Sequence, residues 1–445
     1  MTADLQPLTD PAAARYRERI DAVRAGLPGA DRGWVAGLRD RAAVALVANG
    51  LPTRHVEAWK YTDLRRVLRA EFAAPAEPKT PDAATLSSYL PDDGPVAVFV
   101  DGAFCASLSG LGGDARLVPL EAALDAGDAV AERLLTASAA IDQPGLGALN
   151  TALMQDGMLI DIGDKVELDR PVRLLFVSTD GWAGEAHPRT LISLGRNARA
   201  TVAIDHVALG SATGLVDSVT DIELGPGAAL NMVKQQREAV GAFHIAQTHV
   251  RIGRDATFDG FALATGGRVA RNEIRVRLDG EGAECTLNGL TLARGRQHID
   301  TTTNVDHATA HGQSAQLYKN IVDDRARSVF LGRVHVAPDA QKTDASQMIR
   351  NLLLAPGARA DTKPELIIHA DDVKCGHGAT VGDLDAEALF YLRSRGIGAE
   401  AARAMLIEGF AGEMLDLVAD DGVRASLAAQ LGDWLAGIGG ERKAA

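Results

Sequence analysis

A chain of 445 residues that is 46% apolar can bury a large core, so disorder is not its default and its length suggests two or three domains. Lysine and arginine number 46 against 59 aspartates and glutamates, a net charge of −13, and no basic run is present; the electrostatic footprint of a nucleic-acid binder is missing. Aromatics make up only 4%, which disfavours a stacking surface, while 46 glycines point to many tight turns between short elements.

The opening stretch, MTADLQPLTD, lacks the basic-then-apolar pattern of a secretion signal, and no apolar run is long enough to span a bilayer, so a cytoplasmic setting without membrane partners is expected. Tyr16, Ile20, Val23 and Leu27 follow the helical period, as do Trp34, Leu38, Ala42 and Leu46. Two helices are predicted within residues 11–50, the second closed by Gly50. LPTRHVEAWKYTDL, residues 51–64, has no clean period and reads as a connector that docks Trp59 and Tyr61 onto the next domain. Between Phe72 and Pro95 the composition shifts to Ala, Pro, Lys, Asp and Ser, a linker that closes an N-terminal helical region of residues 1–94. A mixed entry segment, 95–157, follows, with a strand at Val96–Val100, a helix at Leu120–Leu135 and a short helix at Gly147–Met154.

From Met158 the pattern changes to short apolar strands broken by Gly, Asp and Asn, and it recurs. Aligned on Leu194, Leu224, Ile252, Leu278, Val305, Val336 and Ile368, the segments step by 30, 28, 26, 27, 31 and 32 residues, each with a glycine turn followed by alanine. Such a repeat, without helical segments, fits stacked β-coils better than propeller blades or a closed antiparallel barrel. The expected fold is mainly β, with a parallel β-helix core over residues 158–382 whose ends need capping. Residues 383–445 supply helices: Leu384, Ala388 and Leu392 mark one apolar face, RGIG at 395–398 interrupts it, and Ala402, Met405, Leu406 and Phe410 mark another. A third helix is predicted over Val423–Leu435.

Phosphate-loop, dinucleotide-binding, nucleophile-elbow and HExxH motifs are all absent, which disfavours the common kinase, dehydrogenase and hydrolase classes. The three cysteines, Cys105, Cys285 and Cys375, are widely spaced and contain no CxxC, so neither a disulfide framework nor a self-contained four-cysteine site is expected. Ligand-type residues fall at Asp306, His307 and His311, at His335, and in HADDVKCGHGAT, residues 369–380. An extended segment there would project Cys375 and His377 from the same side about 7 Å apart, while Asp371 and Asp372 read as a turn. One thiol and one imidazole fall short of a closed zinc site or a cluster site, so further ligands would have to come from a second chain.

The connector LPTRHVEAWKYTDL, the run from Asn304 to Ile397 that contains HADDVKCGHGATVGDLDAEAL, and the helical tail resemble the SufB/SufD family of iron-sulfur cluster assembly proteins, the SufD branch in particular. The resemblance covers most of the chain. It implies a right-handed parallel β-helix flanked by N-terminal and C-terminal helical domains, acting as a non-enzymatic scaffold subunit of a SufBCD complex. A SufB-like chain would pair along the β-helix, and a SufC-like ATPase would dock on the C-terminal helices through Leu384, Leu392, Ala402, Met405, Leu406 and Phe410. The isolated chain could instead form a homodimer. The family's KC[ST]HG signature falls on Lys374–Gly378, with Gly376 in place of Ser or Thr. By that resemblance, His377 is a ligand for iron or for a transient iron-sulfur cluster shared with the partner, and Cys375 is either a second ligand or a structural thiol. Two rival readings stand beside it. One is a polysaccharide-active β-helix enzyme using Asp371 and Asp372 or Asp323 and Asp324, against which the missing secretion signal counts; the other is a stand-alone zinc protein.

Overall fold

The structure, a computed structural model, describes residues 11–440 apart from 65, 66, 68, 71, 74–78, 91–93, 143 and 144. MTADLQPLTD and part of the expected linker lie outside the described residues. The chain winds into a parallel β-helix in which each coil contributes one strand to each of two ten-stranded sheets. The first sheet runs from Val96–Val100 through Val172–Ser178, Arg199–Ala208 and Ala229–Arg237 to Lys374–Gly382; the second runs from Gly157–Ile162 through Leu215–Leu224 and Phe243–Ile252 to Arg359–Ile368.

One corner of the coil explains the glycine-then-alanine signal. Lys165, Asn197, Gly227, Asp255, Gly282, His311 and Lys342 stack at this corner with φ between 52° and 72°, a left-handed conformation that glycine, asparagine and aspartate adopt most readily. Each donates its N–H to a carbonyl of the next coil, at 2.7–3.4 Å. At four of the rungs the residue that follows is an alanine buried at the bend, Ala198, Ala228, Ala256 and Ala283, each at most 1% exposed; Val166, Gly312 and Thr343 take that place at the other three. His311 is thus a rung of this turn ladder and does not join His307 in a pair.

The true register corrects the sequence alignment at one coil. Leu194, Leu224, Ile252 and Leu278 are partners as expected, but the next partner is His307 instead of Val305, followed by Val336 and Ile368. The aliphatic rhythm selects Val305 because it also faces the core, two residues early. His307 takes the corner as a fully buried imidazole, its Nε2 lying 2.8 Å from Ser314 Oγ, and burial lowers its pKa to about 4. A second correction concerns Leu120–Leu135. It divides into Leu120–Ala126 and Ala129–Ala137, because Gly127 turns left-handed at φ 70° and Asp128 caps the second helix, accepting from Val130 and Ala131 N–H at 2.9 and 3.0 Å.

Helices cover both outer faces. The predicted N-terminal helices are Pro11–Val23 and Gly33–Asn49; they pack with Gly147–Leu153 against Leu215, Phe243, Ile245 and Val269 of the second sheet. Helices Ala386–Ser394, Ala399–Leu415 and Asp421–Gly440 follow the last strand, and the latter two fold back over Ala203, Val233, Phe261, Leu290, Ile321 and Leu352 of the first sheet.

The connector is fastened by charge as well as by apolar burial. Trp59 is fully buried with the Arg271 guanidinium 4.0 Å over its ring, and Arg271, itself buried, reaches Asp300 at 2.5 Å and Glu273 at 3.0 Å. Burial alone would push the Glu273 carboxyl up, but Arg271 and Arg275 outweigh it and hold it below the ordinary carboxylate range. Tyr61 lies under Arg327, 5.6 Å from ring centre to guanidinium, so both connector aromatics dock as predicted. Replacing Arg271 by Met takes the guanidinium from buried Asp300 and leaves Glu273 with Arg275 alone, and a loss of about 3–5 kcal/mol is expected from the urea-unfolding midpoint, with Arg271→Lys recovering part of it.

Candidate functional site at the open end of the coil

The two ends of the β-helix differ. At the starting end each sheet is closed by a short antiparallel strand, Ala103–Phe104 on Val96–Val100 and Arg116–Pro119 on Gly157–Ile162. At the other end, among the described residues, no strand lies beyond Arg359–Ile368 or Lys374–Gly382. Lys363 and Pro364 interrupt the first of these edges, two devices that discourage further pairing. Lys374–Gly382 carries a lysine only at its start; seven of its nine residues are exposed and two are half-buried.

Cys375 and His377 sit on this strand, in register with Ala345 and Gln347 of the preceding coil. Ala345 and Gln347 are both 2% exposed, and Cys375 packs against the interior cluster, so the two ligand-type residues share the inward face as their parity predicts. His377 is exposed at the mouth of the coil, whereas Cys375 is half-buried. Burial, followed by the charge of Asp344, raises the Cys375 thiol above its ordinary pKa, although the Ala345 N–H works in the other direction. Gly376 meets no heavy atom within 4 Å of a would-be Cβ, so its departure from Ser or Thr leaves the geometry open.

Behind His377 the interior row runs Gln347, Gln316 and Leu287, turning from apolar to polar as it approaches the open end. Gln316 Oε1 accepts from Thr303 Oγ1 at 2.7 Å, while both amide atoms of Gln347 are buried without a partner. Cys285 lies on the same row as Cys375, three strands inward, and burial pushes its thiol far up. The sequence gives no hint of that alignment, because it depends on coil lengths.

The remaining ligand-type residues do not converge here. His335 Nδ1 is 2.7 Å from Asp306 Oδ1 on the outer face, and its ring meets His369 edge-on at 5.4 Å. Asp371 and Asp372 form the expected bend, with Asp372 paired to Lys342 of the coil before. Asp323 is buried, its Oδ1 accepting the Asp324 N–H at 2.9 Å, and Asp324 accepts from Gly295 N–H at 3.0 Å; both acid pairs serve turns. Of the proposed docking residues, Met405 is 49% exposed, Leu384, Leu392, Leu406 and Phe410 are half-buried, and Ala402 is fully buried. Phe390 and Tyr391, which the periodicity passed over, are the more exposed apolar side chains there, at 75% and 57%.

Comparison with known proteins identifies the architecture. The model of the SUF-system FeS cluster assembly SufBD core domain matches residues 176–410, and that of the SufBD N-terminal region matches 13–174. The iron-sulfur cluster assembly protein SufD of Escherichia coli is 34% identical over 408 residues, covering 88% of this chain and 91% of that protein. An iron-sulfur cluster assembly SufBD family protein of Synechocystis is 33% identical over 409 residues, covering 89% and 90%, and the chloroplastic protein ABCI7 of Arabidopsis thaliana is 28% identical over 398 residues, covering 85% and 82%. The chain belongs to the SufBD family of iron-sulfur cluster assembly proteins. Among its described residues no helix is long and apolar enough to cross a membrane.

The raised thiol pKa sets a reactivity order. In the isolated chain, Cys375 is expected to alkylate more slowly than free cysteine at neutral pH and to gain rate only above the ordinary thiol range, while Cys285 reacts only after unfolding; mass spectrometry of peptides from a pH series of iodoacetamide labelling checks both.

Proposed function

We propose that this chain is the SufD-like scaffold subunit of a SufBCD assembly, which pairs edge to edge with a SufB-like chain and carries half of a transient cluster site. The observation that carries this reading is the exposed final strand, Lys374–Gly382, which bears Cys375 and His377 on one face. An unpaired strand of this length accepts a further strand by backbone hydrogen bonding, and a partner added there would lie against His377. An iron-sulfur cluster usually requires several thiolates. One imidazole and one thiol therefore supply part of the coordination, and the partner's residues supply the rest. The cluster is cargo, formed at the junction and passed on.

ATP hydrolysis belongs, in this reading, to a SufC-like partner, in keeping with the missing phosphate loop. The exposed Phe390, Tyr391 and Met405 give that partner an apolar footing on the C-terminal helices, with Leu384, Leu392, Leu406 and Phe410 beneath and Ala402 setting the packing depth.

Co-expression with SufB-like and SufC-like chains, followed by iron and sulfide counting, tests the central claim. His377→Ala should leave thermal stability and co-purification unchanged while cluster content falls several-fold; normal cluster content would remove His377 from the site. A second test concerns docking: Met405→Asp with Phe390→Asp should abolish retention of the ATPase on the complex without lowering the melting temperature. Unchanged retention would place the docking surface elsewhere.

A further inference from the structure

Deep in the coil, far along the chain from the open edge, three ligand-type side chains meet at one interior corner. His206 comes from strand Arg199–Ala208 of the first sheet, His244 from strand Phe243–Ile252 of the second, and Glu238 from the turn that leads into the latter. All three are buried, and among the described residues they form a group in which one ligand atom from each, a ring nitrogen or a carboxylate oxygen, lies within 4.8 Å of the others. Neither ring nitrogen of His206 has a hydrogen-bond partner, nor does Nε2 of His244. A His206 ring with both nitrogens unpaired at 1% exposure is costly for a folded chain unless something binds it.

The surroundings hold the three in place. The His206 ring stacks on Phe176 at 4.8 Å and meets His244 edge-on at 4.6 Å. Glu238 lies 2.8 Å from His244 Nδ1 through one oxygen and accepts from Gln236 Nε2 at 2.5 Å through the other. Gly266 packs so closely that a Cβ would stand 2.3 Å from the Glu238 backbone, and its N–H donates to Gln236 Oε1 at 3.2 Å. A cavity of about 20 Å³ lined by Lys234, Gln236, His244, Asn272 and Tyr318 adjoins the cluster, enough for a single water.

We propose that His206, Glu238 and His244 bind one divalent transition-metal ion of the zinc or ferrous class. Two imidazoles and a carboxylate with an open position form a donor set suited to these ions, and the cavity water would take the open position. Ligand atoms about 2.1 Å from a shared tetrahedral ion stand about 3.4 Å apart, so binding draws the group, now within 4.8 Å, inward by up to about 1.4 Å. The ion replaces the proton between Glu238 and His244 Nδ1, and the neutral ring carries its single proton on Nε2 instead. This site shares no residue with the edge half-site and does not rest on the scaffold reading.

Cobalt(II), a spectroscopic substitute for both ions, tests it. The full-length chain is titrated with cobalt in the native state and, separately, refolded from urea in its presence, so that a closed corner does not hide the site. Wild type and a Cys375→Ala/His377→Ala double variant should each hold one equivalent with visible tetrahedral absorption, while His206→Phe and Glu238→Gln lose at least tenfold in affinity. Without metal, His206→Phe should melt no lower than wild type, since phenylalanine stacks on Phe176 and needs no partner; if it fails to fold, the Glu238→Gln result decides. The proposal is overturned by absence of cobalt absorption in both regimes, by its retention in Glu238→Gln, or by its loss in the edge double variant.

Discussion

Each coil is held to the next by a parallel ladder of backbone hydrogen bonds at a strand spacing of about 4.8 Å, and among the described residues that ladder stops at the last strand of each sheet. From this follow both the uniformity of the rows and the singularity of the end. Strands must match residue for residue, so differences in coil length between 26 and 32 residues are taken up in the corners, where the left-handed rungs stack. Antiparallel caps close the starting edge; the finishing edge has only Lys363, Pro364 and Lys374 to blunt it. The family signature occupies one of the two final strands that, among the described residues, have no neighbour on their outer side, and it is the one without a proline.

Much of this was legible in the residues. The recurrence of glycine, asparagine and aspartate before alanine marks positions where φ is positive and the next side chain is small, a local pattern that four of the rungs repeat. The shared face of Cys375 and His377 follows from strand parity alone. The register at His307 is not legible because an aliphatic rhythm cannot mark a buried imidazole, and Val305 lies close enough to stand in for it. The His206, Glu238 and His244 corner was invisible for another reason: which residues meet across the interior is decided by coil length and by which strand faces which, neither of which any spacing records. Phe390 and Tyr391 escaped notice because periodicity finds buried faces, and these side chains point away from one.

The interior is divided along its width. Leu230, Met232, Phe258, Leu287, Val250 and Ile252 fill one half, near the left-handed corner, as an ordinary apolar core. The other half is polar: Asn320 Nδ2 donates to Asn351 Oδ1 at 2.9 Å, Asn351 passes a hydrogen bond to Thr362 Oγ1 at 3.1 Å, and Lys234, whose pKa burial lowers to about 7, reaches Asn272 at 3.3 Å. A polar half of this kind stabilises the fold only while its groups find partners, so register is enforced there by hydrogen bonding and in the apolar half by shape.

Only Asp383, Leu384 and Asp385 separate the edge strand from the first C-terminal helix, and the helices then return over the first sheet as far as Ala203. Lys319 anchors the return, donating to the Phe410 carbonyl at 2.7 Å and reaching Glu413; its own strand lies two below the edge, in register with Arg350 and Thr380. Strand, short tether, helices and anchor thus make a closed mechanical loop. A torque applied to the helices is shared by their packing on the first sheet, the anchor and the tether, and the tether ends on the strand that carries His377. The same covalent path that positions the helices makes them a handle on the rim of the coil.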